Sequence, residues 1–514
     1  MRKHKIEKTY TREKGSALFT ASAVVFLLIL LGTALVSVSL QALHQTRQTQ
    51  QAILAFNIAE SGADRAVRWL KDQPYPPPGT APFDPFGTQP LAGGTYRVTV
   101  FPATNNPGAL QKTYTLVSEG TFGSRTERVS IVLRLQSFAK YAYFTDSEVS
   151  SISGGRIWFF SGDRIRGPAH SNNRNGSNFQ IHWGAGAEPI FDDLVTSAAS
   201  FITYAPRNPN SEEDFLRIYR TGSRGFRLNV DPIPLPDSTT MQREAAWGNS
   251  SGFPTSNGVY VRPEGGIFVR GSCSILLRVD ANDNQQFVIT QGSTVTTVTV
   301  DLRTGYRYVD RSGQPRITVP GTGTGVLYCT SHITSLSGTV ANNLVSVGYP
   351  PTVLARSAYT IATDVNAGAD ITITNPIRYQ SQPDPSLPIN HPTNLRPGTL
   401  GLIARNVIVS SAAPQFMEIN AVILAGSSST PNGSFYVANY NTRTPPGTLR
   451  LLGGVIQKAR GPVGTFNTTT GQIVTGYAKD YYYDPRLADL PPPYYPTTGL
   501  YDVLSWQRLT QENE

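Results

Sequence analysis

Cysteine is almost missing from this sequence: two residues in 514, which at that length excludes a disulfide-stapled miniprotein. Histidine is scarce as well. His4, His44, His170, His182, His332 and His391 form no His-Glu-x-x-His pair and no Cys-x-x-Cys exists, so zinc spacings are lacking and no metal or cofactor is expected. Charged residues make up only 15%, and 46 glycines with 38 prolines stay below a low-complexity composition, which excludes disorder throughout. What is abundant is Thr, Ser, Val and Tyr beside those turn formers, a composition of many short strands in two or three packed units. Of the net charge of +9, the first 14 residues carry +4; the remaining +5 does not by itself argue for nucleic acid.

Charge of either sign is absent from Gly15 to Thr46, whose centre reads Ala21-Ser-Ala-Val-Val-Phe-Leu-Leu-Ile-Leu-Leu-Gly32. About 20 such residues in a helix cross the hydrocarbon core of a bilayer. The basic flank before them places the N-terminus in the cytoplasm and the bulk of the chain on the far side. A cleavable secretory signal also has a basic start and an apolar run, but its run is shorter, whereas this one continues to Leu43 and passes directly into an amphipathic stretch. Ile53, Phe56, Ala59, Ala63, Val67 and Leu70 recur at three- and four-residue steps, which predicts one continuous helix with a single buried face in its second half, stopped by Pro74 to Pro78.

The basic leader, Lys14-Gly15-Ser16-Ala17-Leu18, the apolar helix and Ala59-Glu60-Ser61-Gly62-Ala63 together resemble the leader and first helix of type IV pilins, closest to minor pilins of the PilX kind. The resemblance implies cleavage by a prepilin peptidase after Gly15, methylation of Ser16, and packing with major and other minor pilins. At the fifth mature position, where major pilins carry Glu, this chain has Thr20. In the family that Glu neutralises a neighbour's terminal amine, so its absence resembles tip-forming minor subunits. A plain membrane anchor with no pilus is the alternative.

Strand periodicity follows. Tyr96, Val98 and Val100, then Tyr114 and Leu116, then Val129, Ile131, Leu133 and Leu135 alternate, predicting a three-stranded antiparallel meander over 92–136 with turns at Thr104 to Gly108 and Gly120 to Arg125. Beyond it a loose unit recurs, beginning at Gly155, Gly266, Gly325 and Gly401: a glycine, a short apolar strand, a polar corner and a second short strand. Such units stack as rungs of a parallel β-solenoid; a β-sandwich is the alternative. The segments Tyr143 to Asp146, Gly162 to Asn172, Arg460 to Gly464 and Gly476 to Leu487, with Trp506, resemble a domain of unknown function found behind PilX-like N-termini, and large competence-associated minor pilins. The expected organisation is a prepilin leader at 1–15, a long pilin helix at 16–73, a pilin-like meander at 92–136 and an extracellular β-solenoid-like domain at 137–514. The fold class is mainly β with one long helix.

Catalysis finds little footing. Asp163, His170, Asp192 and Asp193 can be drawn as an acid/base cluster, but such groups must converge in a cleft, and Asp163 with His170 reads as a rung corner. No catalytic residue and no enzymatic activity are expected. Asp364, Asn366, Gly368 and Asp370 alternate loosely like a calcium loop without its closing Glu, and read better as an Asx turn. Cys273 and Cys329 lie in two of the repeats, on the side of the membrane where a disulfide persists. Two stretches interleave arginine with aromatic rings: Arg217, Tyr219, Arg220, Arg224 and Arg227, then Arg303, Tyr306, Arg307 and Arg311. Guanidinium forks bind phosphate and rings stack on bases, so these are the candidate DNA contacts; solvated hairpin tips are the plain alternative. The expected role is a minor, tip-located pilin that begins in the inner membrane as a precursor and ends at the pilus tip or cell surface. It assists assembly and binds an extracellular ligand, with DNA during uptake as one candidate. A structural tip adhesin for surfaces or glycans, and a surface-anchored β-helix polysaccharide enzyme, are the other readings.

Overall fold

The computed structural model describes residues 16–509 apart from 74–76, 78–80, 104–111, 177, 185–187, 349 and 468. The leader with Gly15 and the turn at Thr104 to Gly108 lie outside the described residues, as does most of the proline stop. The protein is mainly β with one long N-terminal helix and divides into two compact units: residues to 107 with 113–134 and those from 503 onward, and residues 108–112 with 135–502.

In the first unit a single helix runs Ser16–Lys71. Its apolar half is exposed and contains an 18-residue stretch of mean hydropathy 2.7, long and apolar enough to cross a membrane. The second half packs on an antiparallel sheet whose strands include Gly94–Pro102, Thr113–Phe122 and Arg125–Ser137. The buried helix face is Ala55, Ile58, Ala59, Gly62, Ala63, Ala66 and Leu70, whereas Ile53, expected to face inward, is 55% exposed. Small residues govern this face because the backbones approach closely. A Cβ on Gly120 would stand 2.3 Å from the Ala55 carbonyl oxygen, and one on Gly62 would stand 2.5 Å from Ser118 Oγ.

The C-terminal strand Thr497–Leu509 returns to this sheet, next to Arg125–Ser137 at its edge. Trp506 packs edge-on against Phe56 at 6.1 Å, and Arg508 pairs with Glu127 at 2.8 Å. Residues from 503 group with the helix unit, so the large unit, residues 135–502, is inserted in its chain, where the expected domain ran over 137–514.

The second unit is built mainly of parallel ladders, with an antiparallel run, Cys273–Val279, Gln285–Gln291, Thr294–Asp301, Tyr306–Arg311 and Ile317–Pro320, attached to them. In one ladder Ile267, Leu327, Ile361, Leu402, Ile423, Val455, Tyr143, Ala169, Val195 and Phe226 stand side by side in successive strands. A second aligns Ile275, Leu336, Ile373, Val409 and Val437, and a third aligns Ile377, Ile419, Leu451, Tyr481, Ile165 and Phe191. These side chains form one continuous apolar core. Stacking is not in chain order. The chain enters at Tyr143 in the middle of the stack, proceeds outward to Phe226, crosses to the opposite end near Gly258, and builds back until Val455 pairs beside Tyr143. The crossing segment is used structurally: Ile233 and Leu235 bury against the outward column Phe268, Tyr328, Ala362, Ile403, Leu424, Ile456 and Phe144, forming a second core on the outer face.

Three of the four glycine-led repeats coincide with strands of the first ladder: Gly266 and Gly325 immediately precede Ile267–Arg270 and Val326–Cys329, and Gly401 lies inside Thr399–Ala404. The one at Gly155 does not. There the ladder strand is Tyr143–Ser150, and Phe159 makes only an isolated bridge to Ile181.

Candidate ligand-binding surface

Ser16 begins the long helix, and Thr20 Oγ1 donates to the Ala17 carbonyl at 3.1 Å, the local bond of a helical threonine. Of the first arginine stretch, Arg217 sits on the short helix Glu212–Ile218, which Ser211 caps through its Oγ. It pairs with Glu188 and lies 5.5 Å from the Trp183 ring. Tyr219 is fully buried, sharing a 2.9 Å hydroxyl contact with Tyr204; burial pushes its phenol well above the usual range. Arg220 pairs with Asp192 at 2.8 Å. Arg224 and Arg227 are exposed.

Arg220 belongs to a charged row on the outside of the third ladder, where register brings opposite signs together. Arg378 meets Glu418 at 2.8 Å, Arg450 meets Asp480 at 3.0 Å, Arg166 meets Asp480 at 3.3 Å and Arg164 meets Asp192 at 2.8 Å. Cross-strand neighbours of opposite charge are the favourable arrangement on a sheet surface, and they neutralise what would otherwise be a basic stripe.

In the second stretch Arg303 stands in the turn after Thr294–Asp301, bonded to the Asn282 carbonyl and 3.7 Å from Asp283. Tyr306 is 43% exposed. Arg307 is 1% exposed and surrounded by main-chain carbonyls: Nη1 donates to Gly265 and Gly266 at 2.8 and 3.1 Å, Nη2 to Arg262 and Pro263 at 2.9 and 3.2 Å, and Nε to Gly321 at 2.9 Å. Arg311 donates to the Val259 carbonyl. Tyr219 and Arg307 are therefore corrected as DNA contacts: Tyr219 caps the end of its helix and packs into the apolar core, and Arg307 is turned inward by the period of two along Tyr306–Arg311.

The acid/base cluster does not assemble. Asp163 pairs with Lys479 at 2.7 Å, while His170 lies 2.8 Å from Thr196 Oγ1 and 3.0 Å from Asn172 Oδ1. Asp364 Oδ1 accepts the Ala367 N–H at 3.0 Å, an Asx turn, and Asp370 forks with Arg405. Among the described residues no group of three or more His, Cys, Asp or Glu could hold a metal. Cys273 and Cys329 are both buried with sulfurs 3.7 Å apart. Their mutual hydrogen bond and burial push the Cys273 thiol up.

Two polar clefts went unseen in the sequence. One of about 350 Å³ lies among the loops carrying Asp283, Arg303, Asn342, Gln380 and Arg396. The other, about 440 Å³, is lined by Arg243, Phe253, Asn257, Phe268, Arg270, Thr330 and Asp364. No local motif marks either, since each is assembled from separate rungs and loops.

A family model described as a domain of unknown function, DUF4900, matches residues 95–200, from the meander into the first strands of the inserted unit. No curated protein matches the chain. Among solved structures the chain is similar to the competence-associated pilin ComZ from Thermus thermophilus, at 13% identity over 89% of this chain and 98% of that one, with a TM-score of 0.29.

Proposed function

We propose that this chain is a minor pilin of a type IV pilus, inserted in the inner membrane as a precursor, cleaved after Gly15 by a prepilin peptidase, and carried to the pilus tip or cell surface. One observation carries it: a single helix is apolar and exposed for its first half, and in its second lays a face of Ala and Gly on an antiparallel sheet. The exposed half suits a bilayer before assembly and neighbouring pilins after it. Thr20 in place of an acidic residue suits a subunit with no neighbour above it. We read the stacked ladders of the inserted unit as a β-solenoid that presents a surface to ligands, with no chemistry of its own.

Expression beside a prepilin peptidase tests the reading. The expected mature N-terminus is methylated Ser16, with processing abolished by Gly15→Val. A retained leader, or cleavage beyond Leu43 by a signal peptidase, would overturn it.

For DNA as the ligand, Arg224, Arg227 and Tyr306 are the candidates whose side chains are free to reach it. Fluorescence anisotropy at low and moderate salt should then show binding that weakens steeply with salt and is lost in Arg224→Ala/Arg227→Ala. The second reading, a glycan adhesin, is favoured by the two polar clefts. Cys273 and Cys329 are placed to close a bond in an oxidising compartment, each thiol giving up a proton and an electron to a disulfide oxidant. Alkylation of denatured secreted protein without reductant should leave both unlabelled, and full labelling would rule the bond out.

A further inference from the structure

We propose that the cleft between the crossing segment and the first ladder binds a carboxylated sugar unit of an acidic polysaccharide. This rests on the extracellular placement of the inserted unit and not on its assembly into a pilus.

The cleft is a product of rung register. Val269, Cys329 and Thr363 stand side by side in three successive strands. The next residue of each, Arg270, Thr330 and Asp364, therefore forms a polar column at the strand ends, spaced by about 4.8 Å per rung. The crossing segment closes the other wall with Arg243, on the helix Thr240–Trp247, and with Phe253 and Asn257 in the loop after it.

Its polar groups are held in place by the fold. The Arg243 guanidinium lies 4.7 Å over the Phe253 ring, whose plane is stacked within 26° of Phe268. Ring contact fixes the guanidinium's position without satisfying its N–H groups, and Arg243 Nε is buried with no hydrogen-bond partner. Neither Arg243 nor Arg270 makes an ion pair among the described residues, while the arginines of the charged row nearly all do. Thr330 Oγ1 is oriented by accepting the Gly271 N–H at 3.0 Å. Gly271 itself sits at φ +87°, and a Cβ there would stand 2.8 Å from Asn257 Oδ1, so glycine holds the space that lets Asn257 reach the wall.

The set of groups selects the ligand class. Two guanidinium forks call for an anion and match a carboxylate in bidentate geometry. Asp364, Asn257 and Thr330 supply acceptors, which a ligand answers with hydroxyl donors. A neutral glucan would leave both guanidiniums unpaired. A DNA phosphodiester has no hydroxyl to give Asp364. A uronate has both a carboxylate and hydroxyls, and about 440 Å³ lies in the lower part of the range for small-ligand pockets.

The test is calorimetric titration of the full chain in detergent with oligogalacturonate. A maltooligosaccharide of equal length and a DNA oligonucleotide are the comparison probes. We expect saturable binding of oligogalacturonate alone, weakened at least about tenfold by Arg270→Gln and also weakened by Asp364→Asn, with the thermal transition of each variant kept. Arg243→Gln should weaken it as much, but its ring contact makes Arg270→Gln the deciding variant. No binding, equal binding of the neutral sugar, or affinity untouched by Arg270→Gln overturns the proposal. So does DNA binding at this cleft that strengthens in Asp364→Asn, which would assign it to a nucleic-acid backbone. Leader cleavage at Gly15 is read on the same preparations, so a failed sugar site and a failed pilin assignment give different results.

Discussion

Arg307 and Arg270 belong to the same inserted unit and carry the same side chain, yet the fold uses them in opposite ways. Arg307 points into the protein and donates to carbonyls of residues 262–266 and of Gly321, holding two loops together. Gly323 is part of that arrangement, since a Cβ there would come 2.6 Å from Arg307 Nη1. Its burial is costly: desolvation lowers its pKa to about 10, although the nearby Glu264 carboxylate works the other way. Arg270 ends a strand at a cleft and makes no ion pair among the described residues. A basic residue inside the protein is thus saturated by main-chain acceptors, whereas one kept at the cleft is left unsatisfied. Clustering in sequence does not distinguish the two.

The sharpest way to test this contrast is Arg307→Met. It removes the donors while filling much of the volume, and leaves several buried carbonyls without partners, so we expect a loss of about 3–5 kcal/mol by denaturant unfolding. Affinity of surviving folded protein for any cleft ligand should not change.

His170 is a buried base that takes the other way out and stays neutral. Burial lowers its pKa to about 4, against its ordinary value near 6.5, although the bond to Asn172 works the other way. Phe144 stacks on it at 5.0 Å, Tyr141 lies 6.0 Å away, and Asp146 stands beyond Asn172, which donates to it at 2.7 Å. Between pH 6.5 and 4 the unfolded chain binds this proton and the folded one does not, so stability falls as pH falls through that window, by at most about 3 kcal/mol. His170→Gln should flatten the pH dependence of the melting temperature there relative to the parent chain, whose other carboxylates titrate alike in both. Parallel curves would mean that His170 takes up its proton alike in the folded and unfolded states.

How much of this was legible in the sequence depends on whether a feature is local. The helix and meander were, because periods of 3.6 and 2 are written into consecutive residues. The helix face was read through Ile53 and Phe56 and came out rotated, since Ala55, Gly62 and Ala66 carry little hydropathy yet permit the closest approach. The return of Thr497–Leu509 to the first sheet was not legible, because pairing partners are not encoded in the strand itself. Nor was the crossing segment, where Ile233 and Leu235 sit between Pro232, Pro234 and Pro236 and read as a loop. The cleft was the least legible of all: Arg243, Arg270, Thr330 and Asp364 meet only through register between strands distant in sequence.

The charged row on the third ladder lies between the two extremes. Arg220 is half exposed and paired with an Asp192 that also holds Arg164, so Arg220→Ala should cost no more than about 1 kcal/mol. A larger loss would place it with Arg307 as a structural residue.

The smallest expected effect on stability is also the most informative. Arg270 makes no ion pair among the described residues and shares its cleft with Arg243 and Asp364, whose opposite charges largely offset each other on it, so its charge does little for folding. Arg270→Gln should change stability by no more than about 0.5 kcal/mol. A residue kept for folding gives a larger fall in stability on removal. If the variant melts as high as the parent or higher and no longer holds a uronate, the unpaired guanidinium is there for the ligand; a drop comparable to that of Arg307→Met would make the cleft a seam of the fold.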